Sequence, residues 1–321
     1  VTFAGSPDRV EARLVPEQGY EFDPFSVSGL PRRAHPDLLR AVGRALAAPA
    51  ACRSILRRRK PDAVLGAGGF VAGPMVFAAR LERIPCALTE ADAHLGLANR
   101  LAAPFADRVF LALPLGLRGE KYRAVGRPIP AASRPIDREE ARGRLGLPSD
   151  APVILVFGGS LGARLLNDLA LEAWAGEGPA VIHLCGERDY PELEGRVTRP
   201  DYVLQPFIDE IGVAYGAADV VLARAGGSVW ELAAAGLPAV LVPGEFATGQ
   251  HQEKNARWFV DAGGALVVPE AEAARAPRVV EELLGDPERL AAMATAMRAV
   301  AKPDAAEEIA DELVSLAAAR R

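Results

Sequence analysis

Short apolar runs alternate with amphipathic stretches along most of this chain, and the clearest instance lies between residues 220 and 264. Val220, Val221 and Leu222 form a continuous apolar run, the pattern of a strand buried on both faces. Arg224-Ala225-Gly226-Gly227 interrupts it. From Ser228 the pattern becomes helical, with Val229, Leu232 and Ala233 on one face, and Gly236 and Pro238 end that helix. Ala239 to Val242 reads as a second buried strand. The segment after Gly244 is polar and carries His251, Gln252 and Asn255. The unit is therefore strand, glycine turn, helix, strand, then a loop of hydrogen-bonding side chains. A helix start of this kind offers backbone amides to an anion.

The same alternation runs through the rest of the chain. Further strands are predicted over 1–3, 22–27, 63–65, 85–88, 109–113, 152–157, 181–184 and 202–204. Helical patterns fall between them, and residues 270–321 read as helices. The stretch GRPIPAASRP, residues 126–135, holds three prolines and is the best linker candidate. Alternating strands and helices on both sides of it predict two doubly wound α/β domains. Ligands of such domains sit beyond the carboxyl ends of the strands, where the glycine turns fall. A cleft between the two domains is the expected site.

Composition narrows the picture. The chain has 321 residues and a formal net charge of −5, which gives no general case for a nucleic-acid partner. Cys52, Cys86 and Cys185 are scattered, with no CxxC pair, against a disulfide framework or zinc site. No apolar run suggests a spanning helix, and no signal peptide is visible. Residues 32–60 are locally basic: nine arginines and lysines face Asp37 alone. One reading is an amphipathic helix with a solvated basic face. The other is contact with an anionic membrane surface.

Several residues admit two readings. Ser228-x-x-Glu231 has the spacing of a capping box. Ser160, inside Gly158-Gly159-Ser160-Leu161-Gly162, has the position of a helix N-cap, while the flanking glycines favour close approach of a ligand. Gly66, Gly68, Gly69 and Gly73 surround another strand-to-helix turn, but not at dinucleotide-fingerprint spacing. His183, in an apolar strand, reads as a core residue, and Trp230 and Trp258 as packing residues. Arg164 and Arg224 suit either a diphosphate or structural ion pairs.

Taken together, GSPDRVEARLVPEQGYEF, PDAVLGAGGFVAGP, LGLANRLAAPFADRV, FGGSLGARLLN, PFIDEIGVAYGAADVVLARAGGSVWELAAAGLPAVLVP and HQEKNA resemble, in this order, the MurG family of peptidoglycan N-acetylglucosaminyltransferases. The resemblance implies a GT-B fold: two Rossmann-like domains facing an interdomain cleft. Residues 1–130, joined by the C-terminal helix 303–321, would form the acceptor and membrane-side domain, and 131–302 the UDP-sugar domain. It implies inverting transfer from UDP-N-acetylglucosamine to an undecaprenyl-linked acceptor at the cytoplasmic face of the cell membrane, with no cofactor and no catalytic metal. By position, Ser160 and Gly159 would meet the diphosphate, with the amides at Gly227 beside them. The backbone of Ile208 would read the uracil, and Glu231 would hold the ribose. His251, Gln252 and Asn255 would face the sugar, and Gly69 the acceptor diphosphate.

The departures from the family pattern are specific. Its first glycine loop, GGTGGH, whose histidine is a candidate base, is expected to lie before Val1. Its HEQN is Thr89-Glu90-Ala91-Asp92 here, leaving Glu90 and Asp92 as the visible candidates for a catalytic base. Its NPVR is Arg127-Pro128-Ile129-Pro130, so an arginine is lost near the uridine. The rival readings are a related GT-B transferase with another acceptor, a UDP-sugar epimerase, and a non-catalytic UDP-sugar-binding protein.

Overall fold

The computed structural model describes residues 1–27, 38–159, 162–244 and 251–320. The chain separates into two compact units, Val1–Val125 with Ala306–Arg321, and Gly126–Ala305. The divide falls at the start of the proline-rich segment, a few residues before the expected boundary.

The first unit opens with β1 (Thr2–Gly5), α1 (Glu11–Glu17), β2 (Glu21–Pro24) and α2 (Leu38–Arg59). It continues with β3 (Val64–Gly66), α3 (Gly69–Leu81), β4 (Cys86–Glu90), α4 (Leu97–Ala102), β5 (Arg108–Leu111) and β6 (Tyr122–Ala124). β1 and β2 pair in parallel, and β3, β4, β5 and β6 form a second parallel sheet in that order. The core gathers Cys52, Leu56, Val76, Ala79, Leu88 and Val109 between α2, α3 and the sheet. β6 has the sequence Tyr-Arg-Ala; so short and polar a strand gives no periodic signal.

The second unit holds α5 (Arg138–Leu145), β7 (Val153–Phe157), α6 (Arg164–Trp174), β8 (Ala180–Leu184), α7 (Tyr190–Leu193), β9 (Tyr202–Gln205), α8 (Ile211–Ala217) and β10 (Val220–Ala223). After these come α9 (Val229–Ala235), β11 (Ala239–Leu241), α10 (His251–Asp261), β12 (Ala265–Val267), α11 (Ala276–Leu284) and α12 (Pro287–Val300). The last helix, α13 (Ala305–Ala318), belongs almost wholly to the first unit. Six parallel strands run in the order β12-β11-β10-β7-β8-β9. Chain order thus reverses between β7 and β10, where two doubly wound halves meet. Every residue of β7, β8, β10 and β11 is buried, as continuous apolar runs covered on both faces require.

All three cysteines are free and buried. Burial pushes the Cys52 thiol up to about 12 and the Cys86 thiol to about 11. Among the described residues no helix is long and apolar enough to cross a membrane.

The described end of the basic segment is ion-paired within its own unit. Arg53 and Arg57 meet Glu82, and Arg58 and Arg59 meet Asp23, with Arg59 also on Glu21. These guanidinium groups hold the Glu82 and Asp23 carboxyls below the usual carboxylate range. Residues 28–37, with Arg32 and Arg33, lie outside the described residues, as do the side chains of 38–47. These pairs form a strap binding α2 to β2 and to the end of α3.

Candidate functional site

The reversal of strand order places two turns side by side. Phe157 at the end of β7 is in register with Ala223 at the end of β10. Gly158 and Gly159 follow the first, and Arg224 to Gly227 the second. Gly159 and Gly162 both have positive φ, and the Gly162 amide closes on the Gly159 carbonyl at 2.9 Å. A Cβ on Gly162 would strike the Cys185 carbonyl, so this position needs glycine. Ser160, between them, lies outside the described residues.

Behind this turn is a closed polar network. Asn167 on α6 donates its amide to the Cys185 carbonyl at 3.0 Å and to Asp189 at 2.9 Å. Its oxygen must therefore accept from His183 Nε2 at 3.0 Å, and His183 Nδ1 accepts from the Tyr202 hydroxyl at 2.9 Å. Burial lowers the His183 pKa to about 4, and the ring is neutral. His183 is a core residue, as its apolar strand suggested. Arg164 pairs with Glu192 and Asp189, and Arg224 with Glu270 and the Val242 carbonyl. Both arginines are engaged in structural pairs.

The second turn carries the acid. Ser228 stands at the cap position of α9, but its backbone is already helical and its side chain makes no capping bond. The capping-box reading of Ser228 and Glu231 is thus corrected. Glu231 Oε2 instead accepts from the Ser133 hydroxyl at 2.8 Å and the Tyr215 hydroxyl at 3.0 Å. Ser133 ends a single 3-10 turn, Ala131–Ser133, inside the proline-rich segment. Tyr215 lies on α8; burial first, then the neighbouring Glu231 carboxylate, raises its pKa, so it remains a donor. No described group engages Oε1. Arg127, from the start of the same segment, lays its guanidinium against Gly227, where a Cβ would collide with it. Among the described residues it has no acidic partner.

The remaining expected residues are distributed around these turns or lie in the other unit. Ile208 sits in the irregular loop between β9 and α8, half-buried. Its backbone N–H and C=O are not engaged by other described residues. Gln252, in the first turn of α10, accepts from the Gly244 amide at 2.8 Å through Oε1. This ties the helix start to the chain beyond β11. Asn255 is buried one turn on. His251 begins α10, and its side chain lies outside the described residues. In the first unit, Gly69 opens α3 with φ of +69°. Glu90 ends β4, where its carboxylate accepts from the Asp92 and Gly96 amides at 3.2 and 2.8 Å and from Asn99 Nδ2 at 2.9 Å. A carboxylate so engaged organises its own loop.

Ser133, Tyr215 and Arg127 were not singled out from the sequence. Ser133 and Arg127 sit in a segment whose prolines read as a linker, and Tyr215 in a helix whose apolar neighbours read as core.

Comparison with known proteins gives the family and the fold. The model of the glycosyltransferase family 28 N-terminal domain matches residues 1–111, and that of the C-terminal domain matches 153–309. A Halothermothrix orenii protein named UDP-N-acetylglucosamine--N-acetylmuramyl-(pentapeptide) pyrophosphoryl-undecaprenol N-acetylglucosamine transferase is 37% identical over 94% of this chain and 87% of its own length. The crystal structure of Acinetobacter baumannii MurG superposes with a TM-score of 0.78 at 29% identity, covering 98% of this chain and 91% of that one. A Neisseria meningitidis UDP-GlcNAc 2-epimerase bound to UDP-GlcNAc superposes with a TM-score of 0.62 at 14% identity, over 98% of each chain, a likeness of fold alone.

Proposed function

This chain belongs to glycosyltransferase family 28, and on that premise we propose that it moves N-acetylglucosamine from UDP-N-acetylglucosamine to undecaprenyl-pyrophosphoryl-MurNAc-pentapeptide, a step of peptidoglycan synthesis. The fold is GT-B. The observation that supports the donor most directly is Glu231: a carboxylate beside the strand-order reversal with one oxygen held and the other open.

In this reading a hydroxyl of the acceptor sugar attacks the anomeric carbon. The C–O bond to the diphosphate breaks, UDP leaves with the electron pair, and the hydroxyl proton passes to a base. Glu231 holds the ribose and the Ile208 backbone reads the uracil edge. Gly159, Ser160 and the turn at Gly227 receive the diphosphate. Arg127 adds a full positive charge there, larger than the roughly half charge a helix terminus supplies. His251, the Gln252 amide nitrogen and Asn255 face the sugar. Gly69 belongs to the acceptor side. Glu90 is a loop organiser in this scheme. Asp92 stays a candidate base.

The acceptor carries a lipid, so the protein works at a membrane surface, on the cytoplasmic face where nucleotide sugars are found. The contact we assign differs from the 32–60 segment. Leu97 and Leu101 on α4 are 58% and 62% exposed one helical turn apart, and Leu81 is half exposed. Phe105 stacks edge-on to Phe77 beside them at 5.0 Å. Exposed Arg80 and Arg100 lie on the same two helices and have no acidic partner among the described residues. An apolar patch with nearby cations suits an anionic interface.

Two measurements test the reading. Calorimetry with residues 1–321 should detect UDP; no heat at millimolar UDP overturns the donor assignment. The protein should transfer labelled N-acetylglucosamine to a lipid-linked MurNAc-pentapeptide. Product formed without any acceptor would make it an epimerase, transfer to a different acceptor only would make it another GT-B transferase, and binding without turnover would make it a sugar-nucleotide-binding protein.

A further inference from the structure

We propose that Ser133 and Tyr215 are positioning residues that fix Glu231 so that its free oxygen is presented to a vicinal diol, making the donor site selective for ribonucleotides. The inference rests on the nucleotide-sugar reading of that site. An ionised carboxylate has about four acceptor positions, two on each oxygen. The hydroxyls of Ser133 and Tyr215 fill both positions on Oε2, at 2.8 and 3.0 Å. The two positions on Oε1 remain, matching in number the two hydroxyls of a ribose.

The two donors are themselves fastened. Ser133 and Tyr215 are 4% and 2% exposed, so neither hydroxyl turns to water. The 3-10 turn that carries Ser133 is clasped on α8, the helix that carries Tyr215. A Cβ at Gly212 of α8 would collide with the Arg134 carbonyl, and the Ile136 amide donates to the Gly212 carbonyl at 3.3 Å. Tyr215 also packs against Phe157, the last residue of β7, with ring centroids 6.4 Å apart. The acid on α9 is thereby referenced to the strand end that launches the glycine loop. Without these hydroxyls the Glu231 side chain would be free to rotate, and a diol would have to order it on binding.

Satisfying a buried serine and tyrosine would by itself explain the same bonds, so the test separates the two roles. UDP and 2′,3′-dideoxy-UDP, which lacks both ribose hydroxyls, are titrated into the unaltered protein and into Tyr215→Phe and Ser133→Ala. The unaltered protein should prefer UDP by on the order of tenfold or more, the size of a charge-assisted hydrogen bond. Tyr215→Phe should weaken UDP by about tenfold and Ser133→Ala by severalfold, with dideoxy-UDP affinity unchanged in both. Equal weakening of the two ligands, or no change in either, overturns the proposal in favour of a purely structural role. Should Tyr215→Phe fail to fold, Ser133→Ala decides alone, because it removes one atom from a turn rather than from a helix core. If the unaltered protein ignores UDP, the donor reading fails and this proposal with it. If it binds UDP and dideoxy-UDP equally, the donor reading stands and the diol assignment falls.

Discussion

Two glutamates follow parallel strands in the two units, and they are used in opposite ways. Glu90, at the end of β4, is buried and receives three donors, two backbone amides and one side-chain amide, all within ten residues of it. Glu231, in the first turn of α9, receives two hydroxyls from residues 98 and 16 positions away, both on the same oxygen. The first carboxylate has both oxygens committed to shaping its own loop. The second has one oxygen committed to being held still and one uncommitted. An acid held through one oxygen on a rigid mount suits a binding group, and one held through both suits a structural knot.

The contrast can be broken in several places. The largest effect is expected at Glu231→Ala, which removes the diol acceptor and leaves the Ser133 and Tyr215 hydroxyls buried without a partner. UDP affinity should fall by roughly a hundred- to a thousandfold. Calorimetry checks it, and a loss under threefold would sink the ribose role. The His183 network is a closed cluster of hydrogen bonds and should respond to acid. The folded pKa of about 4 lies below the unfolded 6.5, so the network's stability is present above pH 6.5 and lost as pH falls toward 4. The expected loss is about 3 kcal/mol. In His183→Gln the drop in melting temperature between pH 7 and pH 4 should shrink; an unchanged drop means another group governs acid unfolding.

Next comes Glu90→Gln, which turns an amide N–H₂ toward groups that are themselves donors. It should cost about 2 kcal/mol of stability and leave UDP affinity intact. If the melting temperature holds while transfer disappears, Glu90 is a chemical group after all and the contrast fails. The smallest effect is expected at Arg127→Gln, an approximately five- to tenfold weakening of UDP that shrinks as salt rises, with uridine unaffected. Uridine and UDP weakening alike would move Arg127 from the phosphates to the base.

The sequence made the strand–turn–helix unit at 220–242 legible because both the buried strands and the glycine break are local patterns. The reversal of strand order between β7 and β10 was implied by the alternation but carried by no single residue. What the chain did not announce were meetings across distance. Ser133 joins Glu231 only because Gly212 lets the 3-10 turn settle on α8, and a proline-rich stretch gives no hint of that. The ion pairs of the basic segment were hidden for the same reason. Counting Arg53, Arg57, Arg58 and Arg59 registers charge, but their partners Glu82, Asp23 and Glu21 lie apart in sequence. β6, Tyr-Arg-Ala, has no apolar run to register, whereas β12, Ala-Leu-Val, was missed although it is as apolar as β11.

The buried thiols give the molecule an internal stopwatch. Cys52 and Cys86 belong to the first unit and Cys185 to the second, each shielded from reagents and, for the first two, held far from the thiolate form at neutral pH. An alkylating reagent can therefore mark them only in molecules whose core has opened. The site of the label would report which unit opened first, with no engineered probe.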